Sequence, residues 1–205
     1  MSQSNLIQQL RAARVVPVIR TSTAELAATA VTWLRDAGLS IFEITMTIPG
    51  AIPLIAQLAR DKKLLIGAGT VPDASTANAC LEAGARFLVA PWVDPTLSAP
   101  ARAANAVLML GAMTPTEVRA ALAAGADVVK VFPASSAGGP GHIKALVSVF
   151  PGVAFCPTGG IDKSDVDAYL SAGAAFIGMG GALVNEKRIA AGNRAAIEAA
   201  ARAVL

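Results

Sequence analysis

Residues 127–133, Asp127-Val128-Val129-Lys130-Val131-Phe132-Pro133, read as a buried strand. β-Branched and aromatic residues surround one cation, and a proline stops the run. Two-residue alternation puts Val128, Lys130 and Phe132 on one face and Val129 and Val131 on the other. A lysine inside such a strand has two readings. It snorkels to the strand end or pairs with an acid, as structural lysines do. Alternatively, desolvation keeps it an uncharged nucleophile, as a Schiff-base amine requires. The flanking sequence decides both the fold and this choice.

Outward from this strand the same unit recurs. Upstream, residues 4–13 carry apolar positions at helical spacing and make a leading helix. Residues 15–20 (Val15-Val16-Pro17-Val18-Ile19-Arg20) are the first strand. Ser22-Thr23-Ala24-Glu25 is a capping-box pattern that opens a helix through about Asp36. Further strands are predicted at 40–46, 64–68, 86–90 and 107–110. Their helices run over 49–60 and 73–82, after Asp94-Pro95, and from a second capping box, Thr114-Pro115-Thr116-Glu117. Downstream come a helix over 140–149, a strand at 153–156, a helix over 163–171, a strand at 175–178 and one long helix from about Glu186. Eight strand–helix units of roughly 25 residues, joined by short connections, imply parallel strands with helical crossovers. The count is that of a (β/α)8 TIM barrel with an extra N-terminal helix, one domain over 1–205. The rival, a doubly wound sheet, needs a glycine-rich fingerprint after the first strand. Arg20-Thr21-Ser22-Thr23 has no glycine, and Gly178-Met179-Gly180-Gly181 comes too late.

Composition excludes several classes. The 205 residues are more than half apolar with few aromatics, which suits helices packed closely on a sheet. A net charge of +3 with scattered cations gives no nucleic-acid footprint. No apolar run approaches a bilayer span, and Met1-Ser2-Gln3-Ser4-Asn5 lacks the order of a signal peptide. Cys80 and Cys156 are too far apart in sequence for a CxxC site and suit a reducing compartment. The expectation is a soluble cytoplasmic protein with neither nucleic acid nor membrane as partner. The single histidine, His142, argues against an imidazole-built metal centre, so no metal and no cofactor are expected. His142 reads as a helix-start residue facing solvent or a ligand oxyanion, and Cys156 as a packed thiol.

In a barrel the C-terminal strand ends face the active site. On the second strand Glu43, Thr45 and Thr47 share the inward face. A carboxylate there is costly unless paired or used, so Glu43 and Lys130 become an acid–amine couple on different strands. Gly69 and Thr70 end the third strand with exposed amides and a hydroxyl suited to a small carboxylate or carbonyl. Pro91 ends the fourth as a rigid wall. Thr158-Gly159-Gly160 after the seventh strand and Gly180-Gly181 after the eighth offer amides for a phosphate. The residues thus suggest a lysine attacking a ketone to form an iminium, with Glu43 shuttling protons. The substrate expected from these loops is a small, phosphorylated carbonyl acid.

Val-Val-Pro-Val-Ile at 15–19, Phe-Glu-Ile-Thr at 42–45, Gly-Ala-Gly-Thr-Val at 67–71, Val-Phe-Pro-Ala after Lys130 and Phe-Cys-Pro-Thr-Gly-Gly-Ile at 155–161 together resemble the 2-keto-3-deoxy-6-phosphogluconate (KDPG) and 4-hydroxy-2-oxoglutarate (KHG) aldolase family, over about residues 6–203. The resemblance implies Lys130 as the Schiff-base lysine and Glu43 as general acid/base. It implies Thr70 as the pyruvate-carboxylate contact, Pro91 and Phe132 as pocket walls, and Thr158, Gly159 and Gly160 as contacts to the distal substrate and phosphate. It also implies a homotrimer and a 2-keto-3-deoxy sugar acid as substrate, cleaved to pyruvate and glyceraldehyde 3-phosphate, with 4-hydroxy-2-oxoglutarate, cleaved to pyruvate and glyoxylate, as a further substrate. Many members carry arginine where this chain has Thr47 and serine where it has Gly181. The phosphogalactonate epimer and unphosphorylated acids stay open as alternatives, with Ser135, Ser136 and His142 as other phosphate contacts. A phosphosugar decarboxylase or isomerase, and a non-catalytic phosphosugar-binding barrel, are the readings outside this chemistry.

Overall fold

The computed structural model describes residues 3–205. Met1 and Ser2, part of the polar N-terminus noted above, lie outside the described residues. The elements run α1 (Gln3–Ala12), β1 (Val15–Ile19), α2 (Ala24–Asp36), β2 (Ile41–Thr45), α3 (Ala51–Leu58), β3 (Leu65–Gly69), α4 (Ala74–Glu82), β4 (Phe87–Ala90), α5 (Ser98–Ala103), β5 (Val107–Gly111), α6 (Pro115–Ala123), β6 (Val128–Val131), α7 (Gly139–Val149), β7 (Phe155–Pro157), α8 (Val166–Ser171), β8 (Ile177–Met179), α9 (Glu186–Ala190) and α10 (Arg194–Arg202). From β1 to β7 each strand pairs in parallel with the next, and β1 pairs with β8. The remaining seam closes where the Ala175 amide donates to the Phe155 carbonyl at 2.8 Å and Thr158 bridges Gly178. This is the (β/α)8 barrel that the alternation predicts.

Strand alternation sorts the core into two shells. Odd-even parity sends Val129 and Val131 outward, among residues packed under the helices, and sends Val128 inward with Phe87, Val107 and Cys156. Leu6 and Leu10 of α1 join the inner cluster, so the leading helix plugs the N-terminal end of the barrel. Burying those two leucines contributes roughly 3–6 kcal/mol. Gln3 adds a polar tie: its amide donates to Asp127 at 2.6 Å and to the Ala106 carbonyl at 3.0 Å. With that end filled, the barrel interior opens at its C-terminal face.

Three local readings need correction. Helix α2 is capped by Thr23, whose hydroxyl accepts from the Leu26 amide, and not by Ser22. Ser22 donates instead to Glu186, at the start of α9, so a tertiary acceptor outcompetes the local one. The C-terminal segment is two helices: Gly192 takes a positive φ of 71° and Asn193 caps α10 afresh. The helix expected over 163–171 starts with a 3-10 turn, Lys163–Asp165. The second capping box forms as predicted, with Thr114 and Glu117 bonding reciprocally and Pro115 at the first turn.

Candidate active site

Lys130 and Glu43 meet inside the barrel mouth. Glu43 is the third residue of β2 and Lys130 the third of β6, and inward parity aims both side chains at the axis. The lysine Nζ donates to Glu43 Oε1 at 3.3 Å, and the two residues are 5 % and 4 % exposed. Each charge therefore depends on the other, because a lone ion so far from water is several kcal/mol uphill. Gly69 makes the pairing possible. A Cβ on Gly69 would lie 2.1 Å from Glu43 Oε1 and 2.7 Å from its carboxyl carbon, so the bare backbone of β3 is the seat of the carboxylate. The Phe132 ring stands 5.8 Å from the amine, a cation–π distance.

Above this pair opens a cavity of about 550 Å³. Lys130 forms its floor, and Thr70, Pro91, Phe132, Thr158, Gly159, Gly160, Gly180 and Gly181 line its walls. Thr70 holds a φ of 54°, unusual for a non-glycine residue, which presents its hydroxyl at the end of β3. Gly159 and Gly160 take φ of 94° and 69°, and side chains there would strike Phe132 and Ser135. Gly181 has neither constraint: an added Cβ meets nothing within 4 Å. The amides of Gly159, Gly160 and Gly181 donate to no acceptor among the described residues, leaving three free donors along the lining. Gly111 also matters, since a Cβ there would sit 2.1 Å from the Pro91 carbonyl carbon and push the wall away.

Ten of the twelve sequence-predicted positions fall at this cavity or its floor pair, and two do not line it. Gly69 supports Glu43 from below. Thr47 hydrogen-bonds Thr45 at 2.8 Å instead of facing the cavity. His142, one of the alternatives for a phosphate contact, bonds through Nε2 to the Met113 carbonyl at 2.7 Å and is absent from the lining. Cys156 is register-paired with Lys130 but lies below it, and burial pushes its thiol up to about 12. That is a packed thiol. Among the described residues no cluster of three or more His, Cys, Asp or Glu could hold a metal.

One residue escaped the sequence reading. Arg20, the first residue beyond β1, lines the cavity and donates from Nη2 to the Thr70 hydroxyl at 3.2 Å. The signal was there in the parity: Val16 and Val18 point inward, so Arg20 follows on the same face. Arg20 and Lys130 are the two cationic side chains of the lining.

The comparisons with known proteins agree with this geometry. A family model described as KDPG and KHG aldolase matches residues 6–200. A 2-dehydro-3-deoxy-phosphogluconate aldolase of Zymomonas mobilis is 35% identical over 161 residues, 78% of this chain and 77% of the relative. One from Treponema pallidum is 30% identical over 201 residues, 98% and 96% of the two chains. Among solved structures, a KDPG aldolase from Legionella pneumophila, with pyruvate captured at low pH as a covalent carbinolamine intermediate, superposes with a TM-score of 0.88. It is 32% identical and covers 100% of this chain and 98% of its own.

Proposed function

The chain belongs to the KDPG and KHG aldolase family, and from that premise we propose that it is a class I aldolase, a carbon–carbon lyase releasing pyruvate from a 2-keto-3-deoxy sugar acid. The observation that carries the reading is the buried Lys130–Glu43 pair under a ligand-sized cavity. Proton transfer along that 3.3 Å bond yields a neutral amine and a neutral acid without exposing either to water. The amine attacks the substrate C2 carbonyl, and Glu43 protonates the resulting hydroxyl so that water leaves and an iminium remains. The Glu43 carboxylate then takes the C4 hydroxyl proton. The C3–C4 bond breaks, its electrons flow into the iminium to form an enamine, and the aldehyde departs. Glu43 returns the proton to C3, and water releases pyruvate from Lys130.

Binding follows from what lines the cavity. Arg20 and Thr70, already joined at 3.2 Å, receive the pyruvate carboxylate, the arginine supplying the positive charge that Thr47 lacks. Pro91 and Phe132 flank the ketone carbon chain. The aldehyde half lies toward Thr158, and its phosphate against the free amides of Gly159, Gly160 and Gly181. The preferred substrate is then KDPG, cleaved to pyruvate and glyceraldehyde 3-phosphate, with 4-hydroxy-2-oxoglutarate as a smaller substrate of the same chemistry. A pyruvate-release assay across phosphorylated and unphosphorylated 2-keto-3-deoxy acids, including the C4 epimers, tests this. Fastest release from KDPG supports it; no release from any of them refutes it.

We further place all 205 residues in one catalytic domain, working as a homotrimer in the cytoplasm, where the two buried thiols stay reduced. Trp92, 45 % exposed just past the end of β4, supplies apolar surface for such contacts, and light scattering decides the state. Among the described residues no helix is long and apolar enough to cross a membrane.

A further inference from the structure

We infer that Thr45 and Thr47 are positioning residues for Arg20. Thr45 is fully buried, and its hydroxyl donates across strands to the Ile19 carbonyl at 3.0 Å. Ile19 is the last residue of β1, so the bonded carbonyl belongs to the peptide unit from which Arg20 springs. Thr45 has one hydroxyl proton and Ile19 takes it. The 2.8 Å contact between the two threonine oxygens is therefore a donation from Thr47 to Thr45. A relay of two hydroxyls thus runs from the outer end of β2 to the root of the arginine.

Neither hydroxyl is needed where it stands for local folding. The turn after β2 closes through the backbone, with the Ile48 amide on the Thr45 carbonyl at 3.1 Å. The same strand end is held to β3 by the Met46 amide on the Gly69 carbonyl at 2.7 Å. The β1–β2 register ends at Ile19 and Ile44, so the hydroxyl relay is what extends the grip of β2 onto the end of β1. Arg20 itself is exposed, joins no ion pair among the described residues and has a single side-chain hydrogen bond, to Thr70. An arginine so lightly held by its head group depends on its root for direction. The inference rests on the reading above that Arg20 receives the substrate carboxylate.

The test is a double-mutant cycle in the full-length enzyme, reading KM and kcat for KDPG cleavage with thermal stability checked for each protein. Thr47→Val keeps the shape and removes the proton. It should raise KM about fivefold, the worth of one neutral hydrogen bond, with kcat within about twofold. Thr47→Ser should restore KM. In an Arg20→Gln background, which itself raises KM, Thr47→Val should add nothing. An unchanged KM in Thr47→Val, a loss in kcat alone, or an equal KM rise with and without Arg20 overturns the positioning role. An Arg20→Gln enzyme with unchanged KM overturns the carboxylate assignment and the positioning role with it.

Discussion

Replacing Gly69 by alanine should cripple the enzyme while leaving the identity of every side chain that does chemistry unchanged. The added methyl would sit 2.1 Å from Glu43 Oε1 and 2.7 Å from both its Cγ and Cδ. Restoring van der Waals contact requires a shift of about 1 Å or more. The glutamate cannot give way outward, because it is 4 % exposed inside a packed barrel, so it must move relative to Lys130. A misplacement of about 1 Å in a catalytic group costs roughly 10²-fold, near the lower end of the 10²–10⁴ that a positioned general acid–base contributes. We expect kcat to fall about 100-fold, some 2.7 kcal/mol of barrier. Overpacking destabilises by about 1–3 kcal/mol, which a barrel of this size survives folded. The assay is steady-state pyruvate release alongside a melting curve, with Gly141→Ala as control, since its methyl meets nothing within 4 Å. Gly69→Ala combined with Glu43→Gln should be no worse than Glu43→Gln alone. A Gly69→Ala enzyme within threefold of the parent, or losses that multiply, would refute the idea that this glycine exists to seat the carboxylate.

Three further outcomes are expected. Burial pushes Cys80 up to about 11 and Cys156 up to about 12, so neither should be alkylated by iodoacetamide at pH 8 in the folded protein, while both react on unfolding; rapid native labelling seen by intact mass contradicts this. Gly181→Ser can place a hydroxyl beside the distal group without strain, and should raise the kcat/KM preference for phosphorylated over unphosphorylated substrate by up to about tenfold; an unchanged ratio would place the phosphate elsewhere. Asp127, pushed up by burial despite accepting from Leu108 and Gln3, holds its proton more tightly folded than unfolded. Its stability contribution should therefore decline as pH rises through the window just above the ordinary aspartate value, and Asp127→Asn should remove that slope in denaturant unfolding; parallel slopes in both proteins count against it.

The barrel was legible because its information is periodic. Eight alternations need no knowledge of contacts, and two-residue parity alone put Lys130 and Glu43 on inward faces of different strands. The same parity reaches Arg20 from Val16 and Val18, but a residue just past a strand reads as loop unless the count is carried one step further. By residue type and place Gly69 offers an exposed amide to a small carboxylate or carbonyl. It is instead a vacancy filled by a side chain 26 positions earlier, a relation fixed by the β2–β3 register pairing Thr45 with Gly69. Ser22 and His142 share one feature: each side chain has a tertiary partner, Glu186 and the Met113 carbonyl, that local pattern cannot display, although His142 does sit at a helix start. The break at Gly192-Asn193 was written in residue type but masked by helical periodicity on both sides.

Imine formation between Lys130 and pyruvate is the step on which the mechanism stands. Borohydride reduction of the enzyme in the presence of pyruvate, followed by peptide mass mapping, reads that step out. A single reduced pyruvyl adduct is expected, located on Lys130, with activity lost in proportion and no adduct in Lys130→Met. An unmodified Lys130 in a protein that still releases pyruvate, or an adduct on another lysine, would contradict it.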